Sequence, residues 1–262
     1  MIRALYTAAS GMAAQQANID NVAHNLANVN TTGFKKSRME FEDLVYQTTR
    51  TAGTATSAST EAPIGLEIGL GTRPVATARD FTTGNLKSTS APLDLAIEGR
   101  GMFQIAMPDG TTGYTRSGAF HLDADGRLLT AEGNPLQPEI TIPPNATSVS
   151  ISRGGIVSVS IAGQSATQQV GTIELATFQN PAGMLALGGN LFAATTASGD
   201  PTTGVPGTDG IGSTTQGFLE ESNVSVVEEM VNMILGQRAY EANSKVIRAA
   251  DEMLGQVNNM AR

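Results

Sequence analysis

The sequence predicts an α+β protein. Long N- and C-terminal α-helices pair in coiled-coil fashion around a central, glycine-rich all-β domain, with extended connectors between. Three observations carry this expectation. Both ends are free of proline and repeat apolar residues at steps of three and four. The middle alternates apolar and polar residues and is punctuated by Gly and Pro. Two Thr/Ser/Gly-rich stretches separate the ends from the middle.

The first element runs from Ala4 to Val29 and contains one glycine, Gly11. Leu5, Ala8, Met12, Gln15, Ile19, Val22, Leu26 and Val29 recur at helical steps, and only Gln15 among them is polar. Such spacing places an apolar seam along one face of a helix. Asn18, Asn21, Asn25 and Asn28 flank this seam one residue earlier. Asn is a poor helix former because its side chain competes for backbone hydrogen bonds. Four at helical spacing therefore suggest a packed face where amides hydrogen-bond laterally and fix register, against the plainer reading of a solvated polar face. Asn30-Thr31-Thr32-Gly33 ends the helix. Phe41-Glu42-Asp43-Leu44-Val45 also reads as helix-like.

The last element spans Phe218 to Met260, with Gly only at 236 and 255. Ala239, Asn243, Val246, Ala250, Met253, Val257 and Met260 form its seam. Val227, Met230, Val231 and Ile234 extend an apolar face upstream, out of frame with that seam. Ser222 or Asn223 is positioned to cap the start. Small residues fill much of both seams, so the two helices have little to bury against each other. The ends are expected to fold completely only in an assembly.

In the middle, Val157, Val159 and Ile161 alternate with serines, and Leu93, Leu95 and Ile97 alternate likewise, as do Phe103, Ile105 and Met107. Pro108-Asp109-Gly110 is a turn, and Asp125-Gly126 sits between Phe120-His121-Leu122 and Leu128-Leu129 as in a hairpin. The expected organisation is an N-terminal helical segment at 1–46, an extended connector at 47–71 that includes Thr48–Thr60, a β domain at 72–194, a return connector at 195–217 and a C-terminal helix at 218–262.

Composition excludes several functions. The chain has 262 residues with 16 Lys+Arg and 24 Asp+Glu, for a net charge of −8, which disfavours nucleic-acid binding. It has no cysteine, so thiol chemistry, Cys-ligated metals and disulfides are out. Its two histidines, His24 and His121, lie in unlike segments and build no multi-His metal site. Asp123-Ala124-Asp125-Gly126 lacks the later ligands of a calcium loop. Gly65, Gly69 and Gly71 fit no phosphate loop, and no G-x-S-x-G elbow occurs. Glu228-Glu229 and Asp251-Glu252 read as solvated helix faces rather than a glycosidase pair. No catalytic residue, cofactor or metal ligand is expected. The first ten residues are too polar for a signal peptide, and no run suits a membrane span.

Several motifs resemble the bacterial flagellar rod and hook family. At the N-terminus it is Ser10-Gly11-Met12 through His24-Asn25-Leu26-Ala27-Asn28-Val29-Asn30-Thr31-Thr32-Gly33-Phe34-Lys35. Toward the C-terminus it is Gly217-Phe218-Leu219-Glu220-Glu221-Ser222-Asn223-Val224 and Gln237-Arg238-Ala239-Tyr240-Glu241. Between them, Asp94 to Phe103 and Tyr114-Thr115-Arg116-Ser117-Gly118 resemble the family's β domain, so the resemblance covers essentially the whole chain. Within the family, chain length, the opening Met1 to Ala8 and the segment Gly69 to Ala76 most resemble a distal-rod subunit, with a proximal-rod or hook subunit as the alternative.

The resemblance implies a helical homopolymer whose paired terminal helices line an inner tube and whose β domains pack outside. It implies torque transmission from motor to hook, proximal-rod and hook proteins at the two ends, surrounding basal-body rings, and export through the flagellar apparatus without a cleaved signal. The location implied is the basal-body rod across the periplasm, with no membrane insertion and no nucleic acid. The seam residues and the asparagine stripe are then the self-assembly interface. A glycan-binding or glycan-hydrolysing β-domain protein is the rival from another class.

Overall fold

The computed structural model describes residues 2–57, 60–162 and 166–260. Part of the expected connector Thr48–Thr60, residues 58 and 59, lies outside the described residues. The chain divides into two compact units. The first comprises Met1–Ala27, Ser37–Ala78 and Ser225–Arg262, and the second Asn28–Lys36 and Arg79–Val224.

The first unit holds both α-helices found among the described residues, α1 (Ile2–Ala27) and α2 (Val226–Met260). α1 is rich in alanine, the best helix former, and lacks proline. α2 starts eight residues later than the sequence predicts, because Phe218–Glu220 is a strand. Its cap is Ser225, not Ser222 or Asn223: the Ser225 carbonyl accepts the Glu229 N–H at 3.0 Å, and its Oγ lies 3.5 Å from the Glu228 N–H. Glu228 and Glu229 occupy the first turn, where negative charge complements the helix dipole.

Two glycines bring the helices together. A Cβ on Gly11 would lie 2.9 Å from Asn243 Nδ2, and one on Gly236 would lie 3.1 Å from Ile19 Cγ1. As α1 is followed forward α2 is followed backward, so the helices are antiparallel.

The segment read as helix-like at 41–45 is instead the end of a strand, Ser37–Asp43, which pairs with Thr72–Arg79. Long-range pairing decides short apolar runs that periodicity leaves ambiguous. Tyr46–Arg50 pairs antiparallel with Leu66–Gly69, opposing Gln47 to Ile68 and Thr48 to Glu67. The expected 47–71 connector is therefore partly a β-ribbon.

The second unit is built on a seven-stranded antiparallel sheet. Its order from one edge is Leu185–Gly188, Leu191–Ala193, Thr112–Thr115, Met102–Ala106, Leu175–Thr177 and Thr202–Gly204, with Leu136–Gln137 also pairing to Met102–Ala106. Alternation along Met102–Ala106 feeds two cores. Phe103 and Ile105 join Leu95, Ile97, Phe120 and Leu175, whereas Met102 joins Tyr114, Phe178 and Phe192. Phe103 meets Phe120 edge-on at 5.1 Å, and Tyr114 meets Phe178 at 4.8 Å. A three-stranded sheet of Ala146–Ile151, Ile156–Ile161 and Gln168–Thr172 adds Val157 and Val159 to the larger core. The Asp125-Gly126 hairpin forms as expected, opposing His121 to Leu129 and Leu122 to Leu128.

The stretch expected as a return connector, 195–217, is largely woven into this unit. Thr202–Gly204 edges the large sheet, and Ser213–Gln216 pairs with Leu95–Glu98. Phe218–Glu220 then pairs with Leu86–Ser88.

Candidate assembly interface

On α1 the sequence-derived seam divides by depth. Ala8 and Val22 are buried, and Leu5, Met12, Ile19 and Leu26 are half-buried. Val29 falls in the turn after α1 rather than on the helix, and is half-buried there. On α2, Ala250 is buried and Ala239 and Asn243 are half-buried, whereas Val246, Met253, Val257 and Met260 are exposed.

The inward stripe of α2 runs through Glu229, Gly236, Asn243 and Ala250. It shares only part of the predicted frame, which explains the exposure of Val246. Helix length explains the rest. At about 1.5 Å per residue in both helices, Ile2 comes level with about residue 252 of α2. Met253, Val257 and Met260 thus lie beyond the reach of α1.

The asparagine stripe has a function within the chain. Asn21 and Asn25 each donate from Nδ2 to the Ser37 carbonyl at 2.8 Å. Ser37 returns its N–H to Asn25 Oδ1 at 3.0 Å and its hydroxyl to Asn21 Oδ1 at 2.6 Å. Asn25 is only 2% exposed. The two amides therefore clamp the first residue of a strand onto α1, a partner hidden while 37–45 is taken as part of a helical segment. Farther up α1, Ser10 Oγ faces the Thr72 N–H at 3.4 Å, and Gly71 leaves room for that approach. Asn18 is half-buried, and Asn28 accepts the Thr31 hydroxyl at 3.1 Å in the turn.

A further group of exposed apolar residues lies outside the predicted seam. Val226, Val227, Met230, Val231, Ile234 and Leu235 are all exposed on the first three turns of α2, Val227 at 73% and Leu235 at 62%. The sequence carried a signal for them in the out-of-frame apolar face at 227–234. Val45, Tyr46, Ile64, Leu66 and Ile68 form a second exposed group on and beside the β-ribbon. Leu66 and Ile68 are two residues apart and so share one face of their strand. Clusters of exposed apolar side chains are a common feature of interaction surfaces.

The charges on α2 sit mainly farther along it, where Arg238 pairs with Glu241 at 3.0 Å. The first three turns after the acidic cap carry no Lys or Arg until Arg238. That patch is suited to apolar burial rather than to electrostatic steering. No helix among the described residues is long and apolar enough to cross a membrane.

Comparison with known proteins gives matches along the chain. Residues 5–35 match the family described as flagella basal body rod protein. Residues 96–159 match the flagellar hook protein FlgE/F/G D1 domain, and 215–260 the flagellar basal body rod FlgEFG protein C-terminal family. The flagellar basal-body rod protein FlgG of Borreliella burgdorferi is 51% identical over 264 residues, covering 100% of both chains. The protein of that name from Bacillus subtilis is 40% identical over 267 residues, again covering 100% of both. The flagellar basal-body rod protein FlgF of Caulobacter vibrioides is 35% identical over 272 residues, covering 98% of this chain and 100% of its own.

Proposed function

The chain belongs to the flagellar basal-body rod protein family, and from that membership we propose that it is a structural subunit of the distal rod. Copies assemble into a helical tube that carries torque from motor to hook. The observation that carries this reading is the run of six exposed apolar residues at the start of α2. A monomer gains nothing from presenting them to water, whereas copies packed side by side remove them from it. The exposed end of α2, with Met253, Val257 and Met260, gives each copy a second apolar surface beyond its own α1.

In this reading α1 and α2 pair in a coiled-coil-like arrangement that forms the tube wall. The half-buried seam residues Leu5, Met12, Ile19 and Leu26 complete their burial against neighbouring copies. The two helices, Ile2–Ala27 and Val226–Met260, supply the assembling ends, and the ribbon of Tyr46–Arg50 with Leu66–Gly69, with its own exposed apolar residues, sets how subunits lean on one another. The partners are further copies of the chain, the adjoining rod and hook proteins, the surrounding rings and the export apparatus. The location is the rod across the periplasm. The role is mechanical and calls for no catalytic residue, cofactor or nucleic acid.

Electron microscopy of the concentrated purified chain tests the proposal. Straight tubes are expected. A chain that stays monomeric at all concentrations, or that binds or cleaves peptidoglycan as a monomer, would overturn it.

A further inference from the structure

Glu220 is fully buried and receives three donors from distant parts of the second unit. Lys35 Nζ donates to its Oε1 at 2.5 Å, Arg116 Nε to its Oε2 at 2.8 Å, and the Gly84 N–H to its Oε1 at 2.9 Å. Lys35 and Arg116 are buried as well. Lys35 donates again to the Thr82 carbonyl at 2.7 Å. The Arg116 guanidinium is committed to the carbonyls of Gly99 at 2.9 Å, Gly101 at 2.7 Å and Ile97 at 3.1 Å. One carboxylate thus offsets two buried cations, from positions 185 and 104 residues away in sequence.

The backbone around Glu220 repeats the pattern. Its own carbonyl accepts the Gly33 N–H at 2.8 Å. Asn223 accepts the Lys36 N–H at 2.7 Å and donates to the Asp80 carbonyl at 2.8 Å. Phe218–Glu220 and Ser213–Gln216 supply the partner strands for Leu86–Ser88 and Leu95–Glu98. Leu95, Ala96 and Ile97 are wholly buried. Without residues 213–224, two cations would lack their counter-charge and a core strand would lose its partner.

We propose that Glu220 is a completion latch: the second unit closes over its core only when the segment 213–224 arrives, so a chain delivered from its N-terminus stays open until residue 224 has followed. Closure of the second unit then follows the arrival of all its other strands in any N-to-C order of delivery, with only residues 225–262 still to come. The unit responds to the completeness of the chain rather than to the presence of its central strands.

Pulse-labelled hydrogen exchange during refolding of the full chain tests this. Amides of Leu95–Glu98 are expected to gain protection in the same kinetic phase as those of Phe218–Glu220, and after Ile156–Ile161. Earlier protection of Leu95–Glu98 would overturn the proposal, and this measurement needs no variant.

Glu220→Gln supplies a second test at equilibrium. It keeps the shape and removes the charge, leaving two buried cations uncompensated, and is expected to speed exchange of Leu86–Ser88 and Leu95–Glu98 by at least about tenfold. Exchange across Ile156–Ile161 should change far less. Adding Lys35→Met removes one orphaned cation and should restore part of the protection. Unchanged exchange at Leu95–Glu98 in Glu220→Gln, or no recovery in the double variant, would count against the latch. If Glu220→Gln fails to fold, the order of protection in the unaltered chain decides.

Discussion

Gly236 of α2 lies directly against Ile19 of α1, so close that a Cβ there would come within 3.1 Å of Ile19 Cγ1. Glycine inside a helix costs about 1 kcal/mol relative to alanine. Its placement at the inward stripe is explained by the approach it allows. Gly236→Leu is expected to cost roughly 1–3 kcal/mol by overpacking. Hydrogen exchange should quicken along α1 and α2 and stay unchanged at Met102–Ala106. Unaltered helix protection would show that the contact has slack. Gly236→Ala is the informative companion, since improved helix propensity and the tight contact oppose each other.

Asn25 should matter to the folded chain before it matters to any assembly. It gives a hydrogen bond to the Ser37 carbonyl and takes back the Ser37 N–H, with the Ser37 hydroxyl at 3.4 Å, all of them buried. Asn25→Ala leaves the Ser37 N–H without that acceptor, at an expected cost of about 1–3 kcal/mol. Were Asn25 a solvated helix residue, alanine would instead be neutral or slightly favourable. Chemical denaturation of the monomer separates the two outcomes. Asn21→Ala should combine non-additively with it, because both amides share the Ser37 carbonyl.

Asp80 gives the second unit an acid dependence. Burial works to raise its carboxyl, but hydrogen bonds from the Thr82 N–H and hydroxyl, with Lys36 and Lys35 nearby, hold it below its ordinary 3.8. A depressed carboxyl stabilises the folded state above its unfolded value, and that stabilisation is lost as pH falls through the folded value. Asp80→Asn is therefore expected to lower stability near neutrality and to flatten the loss below about pH 4. Asp109 is also depressed, by hydrogen bonds from Thr111. So is Asp123, by the Ala124 N–H and then by Arg127. The readout is thus the difference between variant and parent in urea midpoints across that range. Parallel pH profiles would refute the assignment.

Local signals were legible in the sequence and distant pairings were not. The α1 periodicity, the Asp125-Gly126 hairpin and the Val157–Ile161 alternation each depend on neighbours within a few residues, and each forms. The strand at 37–43, the strands within 195–217 and the late start of α2 depend on partners far along the chain. The same limit applies to the candidate interface. The asparagine stripe was visible, but Ser37 as its partner was not. Lys35, Arg116 and Glu220 lie in three separate sequence motifs, and nothing local announces that the three share one buried site. The apolar patch at 226–235 was half visible, as a face out of frame with the seam drawn downstream. That mismatch of frame arises because α2 has one stripe against α1 and another that is exposed.

Ile234→Asp is expected to abolish tube formation while sparing the monomer. Ile234 is 55% exposed, so a carboxylate there meets water in the isolated chain and neither helix contact nor core should notice. The same change on the predicted α1 seam, Leu26→Asp, is less discriminating, because Leu26 is already half-buried within its own chain. In a tube that covers the start of α2, the carboxylate is taken from water while the nearest cation, Arg238 one turn along, is already paired with Glu241, at a cost of several kcal/mol per copy even after relaxation. The lost isoleucine adds roughly 2–5 kcal/mol if its site is fully buried. Assembly repeats that cost in every subunit, whereas one subunit's unfolding registers none of it. The measurements are the critical concentration for polymerisation and the thermal unfolding of the dilute chain. A raised critical concentration with an unchanged melting curve would place the start of α2 inside the tube. Normal tubes from Ile234→Asp would leave that patch facing solvent in the assembly and remove the observation on which the proposed packing rests.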